Sequence, residues 1–287
     1  MMKTRERCNL SATLKGGILF LVILLTVFCT FPGRAYSAAV DYFNPEPKTI
    51  TEAVRDLVLA NRILSHEGIF DYLGHISVRN PQNPKTFFIS RGIAPEQVLK
   101  EDILEVDLEG KVVTKTKETP YSETFIHAAI YAARPEINSV IHAHPKELVI
   151  LSVLDMPVRF IQHPSTIFHL GVPVYDEYDF TKNGMLIRTK AEGESVARHL
   201  GKTMGSLMRG HGANIVGESI PFAVRAIIEL RANVEMQLVA QQFGQIKTIS
   251  PEEAKLTAKT FDKNSPRRAW NNWVNRVKQA MPDMKDY

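Results

Sequence analysis

The β-branched pair Val140-Ile141 ends in two histidines one residue apart, His142 and His144, and Pro145 follows. Alternate residues of a strand share a face, so both imidazoles leave the same side of whatever sheet this run joins. Neutral imidazole is the commonest nitrogen ligand for zinc-like ions, and two on one face are half of a metal site. Taken alone, the pair is better explained as surface or core histidines at a strand end. The residues on either side decide.

Before it, "SETFIHAAIYAARPE" reads as a helix. Ser122 can cap it, Phe125, Ile126, Ala129 and Ile130 form its buried stripe, and Arg134-Pro135 closes it. Further upstream, "TITEAVRDLVLANRILSHEG" has apolar residues at helical spacing, with Gly68 beyond its end. Short strands are predicted at "HISVR", "TFFIS" and "ILEVD", with Glu109-Gly110 turning the chain toward "KVV". Downstream, Gly210 and Gly212 flank His211, "ANIVG" reads as a strand, and Ser219 caps a long helix with Pro221 in its first turn. The tail has a helix start at Ser250–Glu253. Trp270 and Trp273 share a face there and are predicted to pack on the body or on a neighbouring subunit.

The first forty residues carry a different pattern. Lys3, Arg5, Arg7 and Lys15 precede the apolar run "GGILFLVILLTVFCTF", and "RAYSAA" follows with small residues at Ala35, Ser37 and Ala39. Basic region, hydrophobic region and small-residue site together form a secretory signal over residues 1–38, with export to a bacterial periplasm expected. An uncleaved membrane anchor is the alternative, since the run is close to spanning length; if the signal is cleaved, no stable membrane insertion is expected. Both cysteines, Cys8 and Cys29, lie in this segment, so the mature chain has neither disulfides nor thiolate catalysis. The five basic residues and one acidic residue up to Ser37 account for the whole chain's +4, leaving the remainder near neutral. No nucleic-acid partner is expected of it. About 250 residues remain, 44% of the whole chain being apolar, enough for one sizeable α/β domain.

Glu123, His142, His144 and His211 now stand out. Glu123 is expected in the first turn of its helix, where the dipole favours a carboxylate. Glycines beside His211 let backbone and metal approach closely. Three histidines make a catalytic-type zinc shell with an open position, and a nearby carboxylate can carry a proton. A cupin would also use an HxH with a downstream Glu. Glu147 follows too soon, however, and the long helices argue against a small β-barrel.

"PYSETFIHAAIYAARPEINSVIHAHP" resembles the helix and HxH strand of the class II aldolase/adducin family, including the nineteen-residue step from Glu123 to His142. "LMRGHGANIVG" is similar to that family's third-histidine loop, and "GHISVR" and "SRGIAPEQV" to its substrate loops. The resemblance implies a three-layer α/β/α fold around a central mixed, largely antiparallel sheet. The catalytic domain would span 39–248, with a helical extension over 249–287 and active sites between the subunits of a homotetramer. It implies that His142, His144 and His211 hold a divalent ion, Zn2+ first, with Mn2+ or Co2+ possible. Glu123 would be the acid/base, and the chemistry would run through a metal-stabilised enediolate.

The family's sugar-phosphate aldolases tend to use Asn, Thr-Gly and paired serines where this chain has His75, Arg91-Gly92 and Tyr121-Ser122. Those five are the expected substrate-binding residues, with Arg91 holding a carboxylate through two parallel hydrogen bonds. The pattern looks more like the family's decarboxylase branch, which acts on hydroxylated aromatic or muconic-semialdehyde carboxylates. The substrate is thus a small carboxylate or a sugar-derived compound. Aldol cleavage, epimerisation, or a non-catalytic adducin-like role are the alternatives. His127, one turn beyond Glu123, either orients the site or packs. His163 lies roughly where the aldolases place a proton donor borrowed from a neighbour.

Overall fold

The computed structural model describes residues 41–260 and 265–287. The signal expected over 1–38, with both cysteines, lies outside them.

Helix α1 (Ile50–His66) opens on a capping box in which Thr49 and Glu52 exchange hydrogen bonds. The antiparallel strands β1 (His75–Arg79), β2 (Thr86–Ser90) and β3 (Ile103–Asp107) follow. Then come α2 (Thr124–Ala133), β4 (Ser139–Ala143) and α3 (Lys146–Ser152). The short β5 (Val174–Tyr175) leads to α4 (Lys190–Leu200), β6 (Gly205–Met208) and β7 (Gly212–Gly217). Helix α5 (Ile220–Ala240) starts at the Ser219 cap, and α6 (Pro251–Thr260) and α7 (Ser265–Ala280) form the tail. The seven strands make one sheet, β3-β2-β1-β4-β7-β6-β5, antiparallel except for the β5–β6 pair. Val112 makes a single bridge to Val106 where a strand "KVV" was expected.

Alternation along the central strands creates the layers. Val140 and Val216 face α2 and α4, whereas Ile141, Ala143, Ala213 and Ile215 face α1, α3, α5 and α7. Both faces are covered, so β1, β4 and β7 are buried throughout. Parity then puts His75, Ser77, His142 and Asn214 on the α2/α4 side, and the register sets His75 opposite His142 and His142 opposite Asn214. A polar row thus crosses three neighbouring strands inside an apolar layer. The tail helix α7 seats Trp270, Trp273, Val274 and Val277 in the other layer, against α1 and α5.

The start of α2 differs from the sequence expectation. Its N-cap is Glu123, not Ser122, and the Glu123 side chain makes no capping hydrogen bond. The carboxylate is turned away from its own helix toward the histidines, and this decides what the helix start does.

Candidate metal centre

Strand β4 delivers His142 from its interior and His144 from just past its end, while the tight turn into β7 delivers His211. Gly210 adopts φ +63° in that turn, a backbone state costly for other residues. A Cβ on Gly212 would stand 2.5 Å from the Ala143 carbonyl oxygen and 2.8 Å from the His144 ring. Only glycine lets β7 pass this close to the HxH strand.

Glu123, His142, His144 and His211 bring their ligand atoms within 4.8 Å of one another. Four ligands about 2.0–2.1 Å from a zinc-like ion in a tetrahedral array stand roughly 3.3–3.4 Å apart. His142 Nε2 lies 3.1 Å from His144 Nε2 and 3.3 Å from His211 Nε2. Glu123 Oε2 lies 3.6 Å from His142 Nε2 and 3.4 Å from His211 Nε2. The spacing and the donor set fit a divalent ion with three imidazoles and one carboxylate.

The surroundings aim these groups. Asn214 Oδ1 accepts from His142 Nδ1 at 2.8 Å, which leaves Nε2 for the centre. Asp71 Oδ1 lies 3.4 Å from His144 Nδ1 and is itself held by the Leu73 and Gly74 N–H groups. The Ile187 N–H donates to Glu123 Oε1 at 2.9 Å. Burial alone would raise the Glu123 pKa, but hydrogen bonds and charge from His142 and His211 outweigh it and hold the carboxyl below its ordinary range. Burial, with the neighbouring His142, pushes His144 down to about 4. Asn214 and Asp71 escaped the sequence reading. A lone polar residue inside "GANIVG" was the available signal for Asn214.

Behind the centre runs a buried chain of hydrogen bonds. His75 Nδ1 lies 2.7 Å from His127 Nε2, Ser77 Oγ lies 2.6 Å from His127 Nδ1, and the Tyr131 hydroxyl lies 2.8 Å from Ser77 Oγ. Tyr131 donates onward to the Asn138 carbonyl at 3.5 Å. Ordering the hydrogens from that terminal acceptor makes Ser77 donate to Tyr131, His127 Nδ1–H to Ser77, and His75 Nδ1–H to His127. His75 then keeps Nε2 as its bare nitrogen. Burial pushes His127 down to about 3 and His75 well below its usual value, so both rings stay neutral. His127 therefore fixes His75, its two ring nitrogens being taken by His75 and Ser77 and not by Glu123.

A cavity of about 500 Å³ opens beside the centre. His75, Tyr121, Ser122, Glu123, His144 and His211 line it, with Leu73, Met185 and Leu186 as apolar wall and Arg188 at the rim. The His75 and Tyr121 rings lie 4.5 Å apart, and the Tyr121 hydroxyl donates to the Ile93 carbonyl. Two expected substrate residues lie elsewhere. Arg91 Nε is 2.7 Å from Asp102 Oδ1 and its Nη1 is 3.8 Å from Glu118 Oε2, so its charge is already paired with carboxylates of this chain. The Gly92 N–H bonds to the Thr119 carbonyl at 2.9 Å. Both brace the strand-like approach to Tyr121 and do not line the cavity. His163 starts the turn His163–Phe168 beside Glu229 of α5, also away from the lining of its own chain.

Residues 55–238 match the model of the class II aldolase and adducin N-terminal domain. The decarboxylase tropJ of Talaromyces stipitatus is 30% identical over 248 residues, covering 78% of this chain and 93% of that protein. The 3,4-dihydroxyphthalate decarboxylase of Arthrobacter keyseri is 28% identical, covering 82% of this chain and 97% of the relative. Among solved structures, the L-fuculose 1-phosphate aldolase of Glaciozyma antarctica superposes with a TM-score of 0.71 at 24% identity, over 86% of this chain and 98% of that one. That last likeness concerns the fold. With the family model spanning most of the sheet and every residue of the metal cluster, the chain belongs to the class II aldolase and adducin family.

Proposed function

We propose that the protein is a divalent-metal-dependent lyase that decarboxylates a small hydroxy- or keto-carboxylate. The carrying observation is the four-residue cluster opening on a cavity whose walls are apolar and aromatic. The aromatic faces of His75 and Tyr121 and the apolar Leu73 and Leu186 suit an unsaturated or aromatic carboxylate better than a sugar phosphate, and the tropJ and dihydroxyphthalate relatives support the same chemistry.

An ion held by His142, His144 and His211 would supply Lewis-acid polarisation of the substrate oxygens beside the breaking bond. Zinc is favoured by the three-imidazole set. The chain's own residues do the rest. Glu123, ionised at rest, takes the proton of the substrate hydroxyl. As that oxygen closes to a carbonyl, Glu123 passes the proton to the carbon that bears the carboxylate. The carbon–carboxylate bond then breaks, carbon dioxide leaves, the electron pair returns to the carbonyl oxygen, and the oxyanion regains a proton from water on release. Ile187 holds the carboxylate in reach through its N–H, and His75 packs against the substrate plane.

Metal analysis should find about one divalent ion per chain, lost in His142→Ala and His211→Ala. Carbon dioxide release from hydroxylated aromatic or muconic-type carboxylates should accompany it. Glu123→Gln should keep metal and fold while turnover drops on the order of 10²–10⁴-fold. Turnover of sugar phosphates alone would replace this reading with an aldolase.

The reading extends to a homotetramer, in which a neighbouring copy completes the cavity and brings its own His163 near. Exposed Leu73, which lines the cavity, and exposed Tyr72 next to it in sequence support it. Export to the periplasm rests on the pattern of residues 1–38. Sequencing the mature N-terminus should find a start at Ala38 or Val40, whereas an intact Met1 in the membrane fraction would favour the anchor.

A further inference from the structure

Among the described residues, one cationic side chain of the cavity is without a partner. Arg188 lies at its rim, exposed, and among the described residues its guanidinium has neither an ion pair nor a hydrogen bond. The neighbouring cations are all committed. Arg91 is held by Asp102, Lys182 by Asp179, Lys190 by Glu109, and Arg209 by Asp176. Arg188 is nevertheless well placed by its backbone. Its N–H donates to Glu192 Oε2 at 2.8 Å, just before the Thr189 cap of α4. Met185, Leu186 and Arg188 reach the cavity, while Ile187 between them turns into the core and gives its N–H to Glu123. The same four residues therefore set the acid/base and present the free cation.

We propose that Arg188 binds a second carboxylate of the substrate, one retained in the product, so that the protein selects aromatic or unsaturated dicarboxylates. This rests on the decarboxylase reading above. An anion entering the cavity meets the Glu123 carboxylate, and a monocarboxylate would depend on the metal alone to offset it. A dicarboxylate has two cationic anchors at separate points, with its ring between the His75–Tyr121 face and the Leu73, Met185 and Leu186 wall. A guanidinium fork engages a carboxylate through two parallel hydrogen bonds, which fixes orientation as well as affinity. The leaving carboxylate is then directed to the metal and Glu123.

The test compares binding of benzoate and of the three benzenedicarboxylate isomers to the metal-loaded protein by calorimetry. These probes lack the hydroxyl that the reaction needs, so binding is read without turnover. At least one dicarboxylate should bind about 10-fold or more tighter than benzoate, as charge-assisted hydrogen bonds allow. Arg188→Ala should abolish that preference, and Arg188→Lys should restore part of it. Arg188 is exposed, so neither variant should threaten the fold. Equal affinity for all probes, or a preference that survives Arg188→Ala, would overturn the proposal. If wild-type protein prefers a dicarboxylate yet releases no carbon dioxide from any hydroxylated analogue, the decarboxylase reading fails while Arg188 keeps its role as a carboxylate anchor.

Discussion

Asn214 touches no candidate ligand atom that would face the ion, yet it governs the centre. Its Oδ1 holds His142 Nδ1–H, so Asn214→Leu should free the ring and weaken metal binding by about 10–100-fold, read by competition with a chelator. Asp56, on α1 at the far side of the molecule, makes a second residue-scale prediction. It is 1% exposed, and only its Oδ1 has a partner, Arg55. Burial raises its pKa from 3.8 to about 6, with Arg55 opposing the rise. A raised acid pKa favours the protonated form in the fold, so the penalty is absent below 3.8 and complete above about 6. The full shift corresponds to roughly 3 kcal/mol. Asp56→Asn should therefore raise stability at pH 8 by about 1–3 kcal/mol and leave it little changed at pH 4, as urea titrations at the two pH values would show. At this scale the cluster of Glu123, His142, His144 and His211 was legible in the sequence, because strand parity and flanking glycines are local rules. The choice between Arg91 and Arg188 was not. Both are basic residues in loops, and only tertiary placement shows that Asp102 consumes one while a segment 64 residues beyond Glu123 carries the other to the cavity.

Elements place those residues, and two of them are sensitive to single atoms. Gly212→Ala would press a methyl group into the Ala143 carbonyl and the His144 ring, separating β4 from β7 where the ligands meet. The expected result is a folded protein with normal far-ultraviolet circular dichroism that no longer retains metal. Helix α2 contributes the other case. It carries Glu123 at its start, His127 one turn on, and Tyr131 one turn further, so one helix face supplies both the proton carrier and the chain that fixes His75. Tyr131→Phe removes the acceptor of the buried Ser77 hydroxyl, which keeps only its contact with His127, and should cost about 1–3 kcal/mol in urea unfolding. The long amphipathic helices and the β-branched strands were legible from periodicity. Strand β6, "GSLM", was not, since it lacks β-branched residues and is a strand because β7 offers its edge. The cap of α2 was misread for a related reason. Ser122 has the chemistry of a cap, but Glu123 takes the position, and its carboxylate is drawn to the histidines and the Ile187 N–H.

Across the whole molecule, the metal centre belongs to the α2/α4 layer and the tail to the opposite one. Trp270 is fully buried, and its indole N–H donates to the Tyr42 carbonyl at 3.0 Å. Trp270→Ala should destabilise the protein by about 3–5 kcal/mol, lowering the urea midpoint. That placement also has an optical consequence. The chain's 2 tryptophans both lie in α7. Indole emission from this protein is consequently a gauge of tail docking and says nothing about the centre across the sheet. A chelator could strip the ion and stop turnover while the emission spectrum stays still, and a worker watching fluorescence alone would record an intact holoenzyme. The chromophore that senses the cavity is Tyr121, its ring tilted against His75, and a tryptophan placed there would give the centre a signal of its own.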